Sequence, residues 1–338
     1  MASVTLPPEA RLAGGEPAFG SDMVLFRTGI LGIANQLGIG GSGLDGALTG
    51  LTTEYWPQPT SLTLSGTHTG KHLSTLVATD SISIDGSLTI PASGNVVPKA
   101  VDDYYAGMPL PAWLQAGWGE GDDVTVVGEG GGGGSFGAGG KGDVAPDTYG
   151  GRGWGNNAIA ANLFAASTLW RALRHLRGGF GGSGAGSAIP DPDVGYAGGC
   201  LILLCEGAIT ISGTITIDGG DGGTIRDIGA GGAGSLIIIS STEIDCSGAT
   251  VNLRGGNDAV AAGSGGGGYF AAIAPTVTAP TTLNLTAGTA TNPGEVGRDG
   301  SSHIETSFSA DEIRAMVVAS GLIGASAGAP GVILGLDE

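Results

Sequence analysis

The chain has 338 residues, of which 69 are glycine, and a net charge of −18 from 31 acidic against 13 basic residues. A surface this acidic repels phosphate backbones and anionic lipid, so nucleic-acid and membrane-surface partners are excluded. There is no strict Gly-X-Y period with abundant proline, which excludes collagen, and the aliphatic content is too high for a solvated disordered chain.

Residues 1–60 read as an opening region that docks to a partner, with breakers at Pro7-Pro8 and Gly14-Gly15. Within it, Ser21–Leu37 fits either a helix capped by Ser21 or a strand and loop. Met1–Gly15 lacks the basic start and apolar core of a signal peptide, so the chain is expected to be made in the cytoplasm. No run of 18 apolar residues occurs, so no membrane insertion is expected.

Residues 61–338 read as one glycine-rich β-repeat domain with an insertion at 99–198. The repeat is plainest in Gly199–Gly220 and Gly234–Gly256: Leu201, Leu203, Leu204, Ile209 and Gly213 recur 35 positions later as Leu236, Ile238, Ile239, Ile244 and Gly248. One extra residue then shifts the match, so Ile215 and Ile217 answer to Val251 and Leu253. Leu76–Ile90 is a further copy, with Ile82, Ile84, Gly86, Leu88 and Ile90 on Ile209, Ile211, Gly213, Ile215 and Ile217; Tyr269–Leu285 is a degenerate one. Each unit opens with an aliphatic run too short for a helix, then alternates aliphatics with Ser or Thr, which is strand patterning. Ser212-Gly213 and Ser247-Gly248 are turns, where glycine can take positive φ without a Cβ clash. A unit of this kind buries its apolar face only against a neighbour, so stacked short strands are predicted, as a solenoid or a sandwich.

The insertion holds Tyr104, Tyr105, Trp113 and Trp118, a short strand at Val124–Val127, and the longest glycine tract, residues 128–155. Asn156–Arg177 is predicted as a helix. Ile159, Leu163, Trp170 and Leu173 form its stripe, Arg171, Arg174 and Arg177 its last turns, and Gly178 follows it. Thr286–Ser302 reads as loop. Ser309 and Glu312 make a capping box before a short helix at Ala310–Ala319, with Ile313, Met316 and Val317 on one side. Gly321–Glu338 is Ala/Gly-rich, carries Ile333-Leu334, and is expected to pack against a partner chain.

Motifs for chemistry are few. Ser135–Lys141 has Ser135 where a phosphate loop needs glycine and Gly142 where magnesium needs a hydroxyl, so no nucleotide cofactor is expected. Asp218–Gly223 departs from the calcium-binding glycine nonapeptide, with Thr224 at the aspartate position; Asp221 or Asp258 remains available to a cation beside the plain reading of solvated carboxylates. Cys200, Cys205 and Cys246 read as small buried hydrophobes, and Cys-x₄-Cys without histidine is poor zinc spacing, so no metal is expected. His68, His72, His175 and His303 show no nucleophile partner, and Asp102-Asp103 and Asp122-Asp123 read as solvated pairs. The chain is therefore expected not to be an enzyme. Trp113, Trp118, Tyr149 and Trp154 cluster around the long glycine tract and are the candidate receptor-contact residues, since flat aromatic faces add contact at low entropy cost.

The alternation of aliphatic strands, Ser-Gly turns and glycine tracts over about residues 128–290 resembles glycine-rich bacteriophage tail fibres and distal tail adhesins. The resemblance implies that Gly128–Gly142, Gly178–Gly186, Gly219–Gly234 and Gly255–Gly268 run as extended threefold helices packed side by side, with exposed loops touching a host receptor. It further implies a virion structural protein, a homotrimer whose partners are other tail proteins and a host surface glycan or protein. A tailspike-like enzyme that cleaves polysaccharide, and a bacterial surface adhesin, stand as alternatives.

Overall fold

The computed structural model describes residues 43, 45–51, 59–71, 73–92, 195–223, 229–258, 263–291 and 296–320. The strands wind as coils that visit three parallel sheets in fixed order. Strand β1 (Ala47–Leu48) precedes them. The coils are β2 (Ser61–Leu64), β3 (Thr67–Thr69), β4 (Leu73–Ala78); β5 (Ser81–Ile84), β6 (Ser87–Thr89), β7 (Cys200–Cys205); β8 (Ala208–Ile211), β9 (Thr214–Thr216), β10 (Ser235–Ser240); β11 (Glu243–Asp245), β12 (Thr250–Asn252), β13 (Tyr269–Ile273); and β14 (Thr276–Thr278), β15 (Thr282–Asn284), β16 (Ser301–Glu305). Helix α1 (Ala310–Ser320) follows. Sheet A runs β1-β2-β5-β8-β11-β14, sheet B β3-β6-β9-β12-β15, and sheet C β4-β7-β10-β13-β16. Consecutive coils pair like with like, which makes the stack a solenoid and decides against the sandwich.

The register is the one the repeat implies. Leu201 pairs with Leu236, Leu203 with Ile238, Ile209 with Ile244, Ile82 with Ile209, Leu88 with Ile215 and Ile215 with Val251. The extra residue of the second copy falls at the corner between β11 and β12, so strand register is kept. Two coil segments escape the sequence reading. Leu62, Leu64 and His68 lie beside Ile82, Ile84 and Leu88, forming a shorter coil before the first recognised copy. The reading of Thr286–Ser302 as loop needs correction, since Ser301 and Ser302 open β16, paired along β13.

Alternation sorts the side chains. In sheets A and B alternate residues (Leu62, Leu64, Ile82, Ile84, Leu88, Ile209, Ile211, Ile215, Ile244, Cys246, Val251) are buried in one continuous core, while His68, Val277 and Leu283 at the two ends are partly buried. Each such aliphatic removed from water contributes about 1.5–3 kcal/mol before entropy is subtracted. The residues between them are Ser, Thr, Asn and acids, with Ala at 47 and 208, and they form outer ladders such as the Asn284 Nδ2–H to Asn252 Oδ1 bond of 2.6 Å.

Sheet C differs. Leu201, Leu203, Leu236, Ile238, Phe270 and Ala272 join the core, while Ile202, Leu204, Ile237, Ile239 and Ile273 are buried on the opposite face. That is why its strands read CLILLC and SLIIIS with no alternation: a parallel strand covered on both sides is apolar throughout. Helix α1 is tied beside this sheet by Arg314, whose guanidinium donates to Glu206 and Ser241, just past the ends of β7 and β10. Ile313 and Val317 of α1 are fully buried; the Met316 side chain lies outside the described residues. The capping box is formed, with Glu312 Oε2 accepting from Ser309 N at 2.8 Å.

Among the described residues the glycines at positive φ are Gly43, Gly46 and Gly66, so Gly213 and Gly248 do not use that freedom. Gly213 is needed for room: a Cβ there would collide with the Gly86 carbonyl oxygen, and one at Gly86 with that of Gly66. The glycines stack coil on coil, closer than any side chain permits.

Candidate functional site: the glycine layers and their tips

Between sheets B and C each of the later coils leaves the solenoid and comes back. The outgoing segments continue β9, β12 and β15 through residues 217–223, 253–258 and 285–291; the returning ones are 195–199, 229–234, 263–268 and 296–300. Residues 229–234 (GAGGAG) show how they are held. Ala230 N and Ala233 N donate to Gly263 O and Gly266 O of the next coil, at 3.1 and 2.9 Å. Gly231 N and Gly234 N donate to Gly220 O and Ile217 O of the outgoing segment, at 2.8 and 2.9 Å. Gly229 O and Gly232 O accept from Gly195 N and Gly198 N of the previous coil, at 3.1 and 2.9 Å. The bonding direction turns once every three residues, the period of an extended polyproline-II-type helix.

Outgoing and returning segments form two layers, cross-linked by Gly220 N to Tyr196 O, Gly256 N to Gly231 O, Gly265 N to Gly256 O and Gly288 N to Gly265 O. At these crossings a Cβ on Gly231, Gly256, Gly265 or Gly288 would strike a neighbouring backbone oxygen. Alanine is accommodated at 230 and 233, whose side chains are buried. Glycine loses more conformational entropy on folding than any other residue, and here a backbone bonded in several directions offsets that loss.

Side chains near the tips add a second ladder. Asp221 Oδ1 accepts from Asn257 N at 2.7 Å and Asn257 Nδ2 at 3.1 Å; Asn257 Oδ1 in turn accepts from Thr289 N at 3.0 Å. Arg254 donates through Nη2 to Asp218 Oδ2 at 2.7 Å, a contact that raises the guanidinium pKa further. Asp221 is thus engaged from coil to coil, and Asp258 lies buried on the same segment as Asn257. Among the described residues no three His, Cys, Asp or Glu side chains gather to hold a metal ion.

The topology brings the excursions to one place. Residues 224–228, 259–262 and 292–295 span their tips, and residues 93–194 leave after β6 and return to β7 at the same corner. Trp113, Trp118, Tyr149 and Trp154 belong to that last excursion and lie outside the described residues, as do the predicted helix Asn156–Arg177, Ser135–Lys141, His72 and His175. The sequence reading passed over Tyr196, which stands 40% exposed where the excursion rejoins the layers. Its signal was weak, one aromatic in the run GYAGG.

The other candidates are structural. All three cysteines are buried and none forms a disulfide. Burial pushes the thiols of Cys205 and Cys246 up to about 12, which keeps them protonated and unreactive. His68 Nε2 lies 2.9 Å from Ser65 O at a corner. Burial lowers the His303 pKa, against the pull of Glu305 at 3.6 Å. Glu243 and Asp245 share the outer face of sheet A, and hydrogen bonds from Ser247 hold Asp245 below the usual carboxylate range, the opposite of what a general acid needs. No protein-family model, curated protein or solved structure matches the chain.

Proposed function

We propose that this chain is a virion structural protein, an attachment module of a bacteriophage tail fibre that contacts a host surface receptor. One observation carries the reading: the described excursions leave the solenoid at a single corner on two bonded glycine layers, and the stretch 93–194, whose sequence holds Trp113, Trp118, Tyr149 and Trp154, is joined to the coils at that corner. The layers are a stiff stalk made of backbone, so the tips vary in length and sequence without disturbing the coils beneath. Loops on a rigid scaffold are a frequent place for recognition. Aromatic side chains with few rotatable bonds bind a glycan ring or a protein surface at low entropy cost. In this reading the protein is made in the host cytoplasm and sits in the virion as a homotrimer, its opening region docked to other tail proteins.

The test uses the full chain, fluorescently labelled, and the bacteria on which the particle grows. Alanine at Trp113, Trp118, Tyr149 and Trp154 together is expected to weaken cell binding at least about tenfold, the loss of one strong contact. Circular dichroism and the urea midpoint should stay unchanged, and gold-labelled antibody should decorate the tail. Undiminished binding, or an undecorated particle, overturns the proposal. Reducing ends released from host polysaccharide would instead favour the tailspike-like enzyme.

A further inference from the structure

The last coil ends in an apolar surface. At inward-facing positions of the preceding coil, Ile244, Val251, Leu253 and Ala272 are at most 1% exposed. Their counterparts in the last coil are Val277, Leu283, Leu285 and Ile304. The first three are only partly buried and Ile304 is 43% exposed. Among the described residues β14, β15 and β16 each end their sheet, so no further described strand pairs with their outer backbone edges. Val296, 60% exposed, stands in the same last turn. At the opposite end sheet A gains the extra strand β1, with Leu48 and Leu51 packed against the core. Helix α1 is tied beside sheet C through Arg314.

We infer that the chain's own C-terminal segment, residues 331–336 (GVILGL), covers this end. After α1 the chain runs on through residues 321–338, whose only charged side chains are Asp337 and Glu338 at its tip. Val332, Leu334 and Leu336 recur with the two-residue period that puts all three on one face of a strand. An apolar strand and an apolar end with open edges satisfy each other: side chains extend the core and backbone groups extend a sheet. Reach permits it. The tether 321–331 extends to about 36 Å at ~3.3 Å per residue, whereas α1 is about 16 Å long at 1.5 Å per residue. The segment can thus return from the far end of the helix. An intramolecular strand also forms at any protein concentration, which a second copy cannot match.

The full chain carrying Ile304→Cys and Leu334→Cys tests the inference with a short bismaleimide at low micromolar concentration; the native cysteines are buried and the parent chain is the control. A cross-link within one chain, seen as a monomer of altered mobility, is expected. A cross-link joining two chains, or none, overturns the assignment, the former making a second copy the occupant. Separately, Val332→Asp with Leu334→Asp in the full chain should raise the fluorescence of an apolar-surface dye several-fold with the strand circular dichroism kept. No change in dye binding overturns it.

Discussion

At the scale of single residues the solenoid is governed by what glycine lacks. Gly66 takes φ of 87°, where the left-handed region favours glycine. Gly86 and Gly213 sit above it in ordinary conformations and are needed because the next coil's backbone occupies the place of a Cβ. Gly213→Ala is therefore expected to cost about 3 kcal/mol, the upper range for overpacking. Gly50→Ala serves as the control: its Cβ would meet only the His68 ring at 3.9 Å, an ordinary contact. That change should leave stability within about 1 kcal/mol. Urea midpoints of the two variants decide the matter, and equal midpoints would show that the corner yields. The sequence marks Gly213 as a turn but not why glycine is required there, since a one-dimensional pattern carries dihedral preference but not the distance to the coil below.

At the scale of elements, patterning told strand from helix but not which faces were covered. Alternation in β5, β8 and β11 marks an inward face, whereas the unbroken apolar runs of β7 and β10 mark strands without showing that both of their faces are buried. β16 went unseen because SSHIE carries a single aliphatic, and β2 because its coil to β5 is shorter than the period of the later copies. Helix α1 was legible from its capping box, although the capping box says nothing of Arg314 reaching Glu206. Ser309→Ala removes the cap and is expected to cost the helix about 1 kcal/mol. Faster hydrogen exchange across residues 310–320, with sheet C unaffected, is the readout. Ser309 hydrogen bonds depress the Glu312 pKa, so this stabilisation is present above the unfolded carboxylate pKa and lost as pH falls through the folded value. The same helix should accordingly fray in acid before the sheets open.

At the scale of the whole molecule the coils are nearly interchangeable. β7 pairs with β4 and β10 through the same residues, and β10 pairs in the same way with β13. Excising residues 235–268 would leave Gly234 joined to Tyr269 and set β13 where β10 had been. Stability in such stacks is close to a sum over units and their interfaces. The shortened chain is expected to fold with the same strand spectrum and a lower urea midpoint and m-value. Failure to fold would show that the coils are not additive, and that the excised coil acts as a unique keystone.

The sequence by itself determined the strand units, their register, their inward faces and the capped helix. Those properties reside in side chains, and side chains repeat visibly along a chain. The tertiary structure alone decided that three sheets close around one core and that outgoing and returning glycine segments interleave with a threefold bonding period. It also decided that residues 92 and 195, which flank the aromatic-bearing stretch, lie at the corner where the other excursions begin and end. These depend on backbone groups of residues about one coil apart, and glycine has no side chain to announce which neighbour its N–H will meet.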